Sequence, residues 1–366
     1  MSSSGSPTKR DLRQRLADGV VLCAEGYLFE LERRGYLQAG AYVPEAVLDH
    51  PEVVAQLHRE FLRAGSDVIE AFTYYGHREK LRLIGKEDRL EALQRDALSI
   101  ARAVAAEATG ERPLVAGNVS NTTVYAPDDG QAIAEVRAMF DEQVAWAAEA
   151  GVDLVIAETF GYHGEAMLAL QAIRAAGLPA VVTMAYHKDG LRDGVPLDEH
   201  CRRLQDAGAD VVGLNCARGP ATMLPLLPAI RGAVSCAVAA LPVAYRTTPA
   251  EPTFQTLSDP AAADAPGGRP FPVALDPFTC TRYEMAAFTR GAHAAGVRYI
   301  GICCGGAPHH VRAMAEALGR TPDASHHSPD MSKHYALGSD ARLKRHNVEY
   351  APALTGQARA TPPAPR

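Results

Sequence analysis

Apolar residues in this chain fall into short, nearly unbroken runs. Val20-Val21-Leu22-Cys23-Ala24 and Val152-Asp153-Leu154-Val155-Ile156-Ala157 are examples. Such runs are expected of strands buried on both faces, as in a parallel sheet. Eight are present, at 20–24, 67–72, 114–119, 153–158, 180–185, 210–215, 242–245 and 298–303. Between them lie segments with helical spacing, at 51–64, 88–108, 129–150, 163–176, 196–207, 221–236 and 281–295, with 308–319 after the last. The junctions repeat. Ala64-Gly65-Ser66-Asp67-Val68 returns as Ala150-Gly151-Val152-Asp153-Leu154 and as Ala207-Gly208-Ala209-Asp210-Val211. Each reads as a helix stopped by a glycine, with a buried strand starting at once.

Strict alternation of strand and helix predicts βα units. Eight of each predict an α/β (β/α)8 TIM barrel. The competing open doubly wound sheet would carry a phosphate-binding glycine fingerprint after its first strand, and Cys23-Ala24-Glu25-Gly26-Tyr27 supplies none. The expected organisation is a flexible arm at 1–11, the barrel at 12–320, and a partly disordered C-terminal extension at 321–366. Long loops at 73–87 and 246–272 leave the C-terminal ends of strands and are expected to cover the barrel mouth. The His326-His327 pair in the extension reads as solvated.

Composition narrows this picture. A net charge of -6 gives no basis for nucleic-acid binding. No apolar run approaches the length of a membrane span, and the polar start of the chain does not read as a signal peptide. The 7 cysteines are an odd number, spread along the chain, which favours free thiols and a cytoplasmic setting over a disulfide framework.

The cysteines also carry the chemistry. Gly301-Ile302-Cys303-Cys304-Gly305-Gly306 ends the last strand and Leu214-Asn215-Cys216 ends the sixth. In a barrel, both ends open on the face where active sites are built, and only one strand separates them. Cys216, Cys303 and Cys304 thus form a candidate open metal site with three soft ligands, which suits zinc. A zinc held by three thiolates suits the activation of an incoming thiol more than of water. Cys23, Cys201, Cys236 and Cys280 read instead as small buried hydrophobes. Glu158 ends a buried strand, where a carboxylate is costly unless paired, so a ligand ammonium is a plausible partner.

These motifs resemble the homocysteine S-methyltransferase family, most closely its betaine-dependent branch. Glu32-Arg33-Arg34-Gly35-Tyr36, the run from His58 to Ser66, and Pro242-Val243-Ala244-Tyr245 add to the likeness, which covers roughly residues 12–320. The resemblance implies a (β/α)8 barrel, a Zn2+ ion on Cys216, Cys303 and Cys304, and homocysteine sulfur at the fourth position. It implies that Glu158 holds the amino group of homocysteine, and that Tyr75 lies near the metal as a catalytic residue. Glu25, Gly26, Tyr42, Phe72, Tyr74, Thr159 and Asn215 are further substrate-side candidates. Aromatic faces among them suit a quaternary ammonium or sulfonium donor.

The chain departs from the family at three places. Ala24 replaces an aspartate, with Glu25 next to it. Tyr42 replaces a tryptophan, and Thr159 replaces a tyrosine. The expected activity is methyl transfer from an onium donor such as glycine betaine, another betaine, S-methylmethionine or dimethylsulfoniopropionate to homocysteine, giving methionine. The partners are then homocysteine and a small methyl donor, with a homo-oligomer as a further possibility. Two other readings are an acceptor module served by a separate corrinoid protein and a zinc- or thiol-binding barrel without turnover.

Overall fold

The computed structural model describes residues 10–356. Most of the expected N-terminal arm and the end of the extension lie outside the described residues. Asp11, at the arm's end, caps a helix at Leu12–Asp18 by accepting from the Gln14 N–H.

Eight parallel strands close a barrel in sequence order. They are β1 Val21–Ala24, β2 Val68–Glu70, β3 Leu114–Ser120, β4 Leu154–Phe160, β5 Ala180–Met184, β6 Val211–Asn215, β7 Ala237–Leu241 and β8 Tyr299–Ile302. Closure is between β1 and β8, with Val21 opposite Tyr299 and Ala24 opposite Ile302. The (β/α)8 expectation is met.

One strand was misplaced. The seventh runs at Ala237–Leu241, ahead of the predicted 242–245. Its Ala-rich sequence reads weakly as strand, whereas Val243-Ala244-Tyr245 reads strongly. Pro242 has no N–H to give a ladder and ends the strand. The helix before it is correspondingly broken, into Pro220–Met223, a 3₁₀ turn at Leu224–Leu226, and Leu227–Ala233. The loop expected at 73–87 also carries a short helix, Arg78–Leu83.

The outer helices show why the layers pack. Pro51–Ala64 starts with Pro at its first turn and ends on Gly65 at φ 109°. Its buried side chains Val54, Leu57, His58 and Phe61 recur at three- and four-residue spacing, so they form one stripe against the barrel. Burial of each apolar member contributes about 1.5–3 kcal/mol.

Strand alternation then decides what faces inward. Val21, Cys23, Val68, Leu114, Ala116, Leu154, Ile156, Val211 and Tyr299 make an inner cluster at the barrel floor. Leu22 and Ala24 belong to the separate cluster between strands and helices. Continuing the same alternation upward brings Glu25, Glu70, Asn118, Glu158, Asn215 and Cys303 to the inside at the C-terminal end. The floor is apolar and the mouth is polar.

The chain divides into two compact units, Met1–Asp323 and Ala324–Arg366. The second contains a 3₁₀ turn at Met331–Lys333 and a helix at Arg345–Thr355. His326 and His327 are exposed, as expected for solvated side chains. No described helix is long and apolar enough to cross a membrane.

Candidate active site

The three cysteines converge. Cys216 Sγ lies 3.7 Å from Cys304 Sγ. Cys304 Sγ lies 4.0 Å from Cys303 Sγ. All three sulfurs are within 4.8 Å of one another. Sharp backbone turns deliver them. Cys216 and Ala217 have φ of 54° and 53°, in the left-handed region that side chains seldom occupy. Gly305 follows the pair at φ 76°, and a Cβ there would stand 2.4 Å from the Tyr245 ring, so glycine is required on both counts.

The sulfurs share protons unevenly. Cys216 is held well below the ordinary thiol range by hydrogen bonds from the other two. Cys303 and Cys304 are held well above it, chiefly by the Cys216 thiolate they hydrogen-bond.

Against the sulfurs lies a small pocket of about 20 Å³ with mostly buried walls. Glu25, Glu70 and Glu158 line it, with Cys303 and Cys304 at its edge. Two amides hold these carboxyls. Asn118 Nδ2 donates to Glu70 Oε1 at 2.6 Å and to Glu158 Oε1 at 2.7 Å. Asn215 Nδ2 donates to Glu158 Oε2 at 2.6 Å and to Thr159 Oγ1 at 2.8 Å. It lies 3.4 Å from Glu25 Oε2 and 3.8 Å from Cys303 Sγ. Asn215 Oδ1 accepts from the Thr159 N–H at 2.9 Å. This one side chain therefore ties β6, β4 and the sulfur cluster together.

Burial raises all three carboxyls. Glu158 is pushed up to about 7, less far than burial alone would take it because Thr159 and Asn118 donate to it. Glu25 and Glu70 are held well above the usual carboxylate range by burial and by their acidic neighbours. Glu25 Oε1 has no hydrogen-bond partner. Such a cluster is costly when charged, and a cationic ligand among the carboxyls would offset the cost.

The sulfurs also border a larger, open cavity of about 460 Å³. Cys216 and Cys304 form part of its wall, with Tyr42, Tyr74, Tyr75 and Thr159. The rings of Tyr74 and Tyr75 are tilted, with centroids 4.3 Å apart. Lys80 Nζ caps the Tyr75 ring at 4.0 Å. Among the described residues, six non-glycine residues have positive φ: Tyr42, Tyr75, Thr123, Thr159, Cys216 and Ala217. All but Ala217 line this cavity. Each such conformation costs about 1–3 kcal/mol, and clustering of strain is a mark of functional walls.

The expected residues are thus divided between two places. Tyr42, Tyr75 and Thr159 face the open cavity, and Tyr74 borders both spaces. Phe72 lines the closed pocket instead, stacked on Tyr27 at 5.8 Å. Gly26 has a packing reason, since a Cβ there would lie 2.4 Å from Gly306 O. The Ala24 departure has a geometric answer: Ala24 packs on the helix side, and Glu25 turns its carboxyl inward. Cys23, Cys201 and Cys280 are buried and Cys236 is half-buried.

Glu70 and Asn118 were missed. Their signal was present: a polar side chain at the inward position of an otherwise apolar strand. Tyr125, Tyr162 and Arg192, also on the open cavity, come from loops and helix starts with no such periodicity.

Comparison with known proteins agrees with this arrangement. The family model described as homocysteine S-methyltransferase matches residues 25–318. Betaine–homocysteine S-methyltransferase 1 of Danio rerio is 40% identical over 343 residues, covering 92% of this chain and 82% of that protein. S-methylmethionine–homocysteine S-methyltransferase of Rattus norvegicus is 34% identical over 345 residues, covering 93% and 89%. Among solved structures, the metallated form of the homocysteine methyltransferase MmuM from Escherichia coli superposes with a TM-score of 0.64 at 20% identity, covering 82% of this chain and 98% of that one. At that identity the likeness concerns the fold. The chain belongs to the homocysteine S-methyltransferase family.

Proposed function

We propose that this chain is a zinc enzyme that moves a methyl group from a small onium donor to homocysteine, giving methionine. The observation that carries the reading is the position of the sulfur cluster, on the boundary between a carboxyl-lined pocket and an aromatic cavity.

The residues fit zinc. Sulfurs bonded at about 2.3 Å around a tetrahedral zinc stand roughly 3.8 Å apart. The observed separations of 3.7 and 4.0 Å match that spacing. Cys216, Cys303 and Cys304 would hold the ion, leaving one open place for a substrate sulfur. When bound, the zinc supplies stabilisation of the substrate thiol as thiolate near neutral pH.

The chain's own groups supply the rest. Glu158, held by Asn118 and Asn215, is placed to pair with the amino group of homocysteine, and Glu25 with its free Oε1 supports it. The faces of Tyr74 and Tyr75 favour a cationic donor and keep water from it. Holding thiolate and methyl carbon in line is worth several orders of magnitude in rate. Transfer leaves a neutral amine or sulfide, which no longer gains from the ring faces.

We place this activity in the barrel, residues 12–320. The 7 free cysteines support a reducing, cytoplasmic setting. The test is a donor screen with homocysteine that reads methionine and the demethylated donor together. Equimolar formation of both from a simple onium compound is the expected result. Transfer only from a supplied methyl-corrinoid would reassign the chain as an acceptor module, and no transfer from any donor would sink the activity.

A further inference from the structure

The open cavity carries a second aromatic group apart from Tyr74 and Tyr75. Tyr125 and Tyr162 pack with centroids 5.3 Å apart. The Arg192 guanidinium lies 5.5 Å over the Tyr162 ring. Arg192 is anchored at its backbone, where its N–H donates to Gly161 O at 2.8 Å, just past β4. Its stem runs alongside the same glycine, since a Cβ at Gly161 would lie 3.5 Å from Arg192 Cδ and Nε.

The head group is free. Among the described residues, no hydrogen bond or ion pair is made by the Arg192 guanidinium, although it lines the cavity. Glu165 feels the Arg192 charge without hydrogen-bonding to it, and the hydrogen bonds of the nearby acids go to other groups. Glu165 Oε1 accepts from the Thr122 N–H and from Thr122 Oγ1, both at 2.7 Å. Asp193 Oδ2 accepts from the Gly164 N–H at 3.2 Å. A guanidinium oriented by a ring and a backbone bond, with its donors unspent, is suited to clasp a carboxylate with two parallel bonds.

We propose that Arg192 selects the methyl donor by pairing with a carboxylate at the donor's non-reacting end. This rests on the reading of the open cavity as the donor side. A donor bearing both an onium centre and a carboxylate engages the inner rings and Arg192 together. A plain cation engages only the rings. Arg192 is then a specificity-determining residue, and the outer rings serve to aim it.

The test is calorimetric titration of zinc-loaded protein with glycine betaine, and separately with choline, which lacks the carboxylate. It is run with and without L-homoserine, an acceptor analogue with no thiol to react. Wild type, Arg192→Met and Arg192→Lys are compared. Met keeps the apolar stem and Lys keeps the charge without the fork. The expected result is an about 10- to 100-fold weaker affinity of Arg192→Met for glycine betaine, the worth of a charge-assisted pair. Choline affinity should stay within about twofold, since its contacts to the rings are unchanged. Arg192→Lys should fall between.

Equal losses for both ligands would show that Arg192 only shapes the cavity, and would overturn the proposal. So would an unchanged affinity for glycine betaine, or no saturable binding of it to wild type. Because binding is read without turnover, a failure of methyl transfer to homocysteine leaves this result standing and removes only the activity.

Discussion

The two sides of the sulfur cluster are built on opposite principles. The carboxyl-lined pocket is small, mostly buried and held by side-chain hydrogen bonds from residues at the inward positions of barrel strands. Glu70, Asn118, Glu158 and Asn215 all come from such strands. The other cavity is larger, and its wall comes mostly from segments that follow the strand ends, with strained backbone at Tyr42, Tyr75 and Thr123 and at Thr159 within β4. Cys303 borders the first, Cys216 the second, and Cys304 both. The difference separates two tasks. A rigid network of buried amides and carboxyls fixes one ligand in one pose. A roomy aromatic wall recognises charge type and leaves the ligand's shape to a few loop residues.

Mutations should respect that boundary. The largest effect is expected at the boundary itself. Cys303→Ala should lose bound zinc and turnover together, measured as metal per chain and as methionine formed. Retention of full turnover by the metal-free variant would break the account of both sides at once.

Next comes the closed side. Glu158→Ala removes the shared acceptor of Asn118 and Asn215 and leaves buried donors unpaired. Its kcat/KM for homocysteine should fall about 100-fold or more, the cost of breaking a buried charged network. The KM for the donor should move little. A larger change in the donor KM than in the homocysteine KM would reverse the assignment of sides.

The open side should respond more mildly. Tyr75→Leu removes a ring face, worth about 0.5–2 kcal/mol toward a cation, so the donor KM should rise roughly 2- to 30-fold. Tyr75→Phe keeps the face and should stay near wild type in donor KM. A loss in Tyr75→Phe equal to that in Tyr75→Leu would assign the effect to the hydroxyl.

The smallest effect is a pH signature of the closed side alone. Glu158 is pushed up to about 7 from an ordinary 4.5 by burial. A raised carboxyl favours folding while it stays protonated. Its contribution is complete below the ordinary value and is lost as pH rises through the folded one. Chelator-treated protein should therefore lose thermal stability between roughly pH 5 and 8. Glu158→Gln should flatten that slope, and an unchanged slope would show that other groups carry it.

The same boundary divides what the sequence could reveal. Barrel architecture was legible because glycine-stopped helices and apolar runs repeat. The one misplaced strand, at Ala237–Leu241, had alanines where β-branched residues would have marked it, beside a Val-Ala-Tyr run that looked more strand-like. The closed side was half legible. Glu158 and Asn215 stood out at strand ends, while Glu70 and Asn118 are found only by following the in-out alternation along an otherwise apolar strand. That parity also turns Ala24 outward and Glu25 inward, which puts a carboxyl next to the position where the family has its aspartate. The open side was the least legible. Tyr74 and Tyr75 were found next to a strand, but Tyr125, Tyr162 and Arg192 converge from separate segments through tertiary packing.

The central claim is that three cysteine sulfurs hold a zinc with one place open to a substrate sulfur. X-ray absorption at the zinc edge, taken on loaded protein before and after homocysteine is added, tests it most directly. The account requires three sulfur neighbours and one lighter atom before addition, and four sulfur neighbours after it. A first shell that gains no sulfur, or that holds fewer than three at the start, would contradict the account.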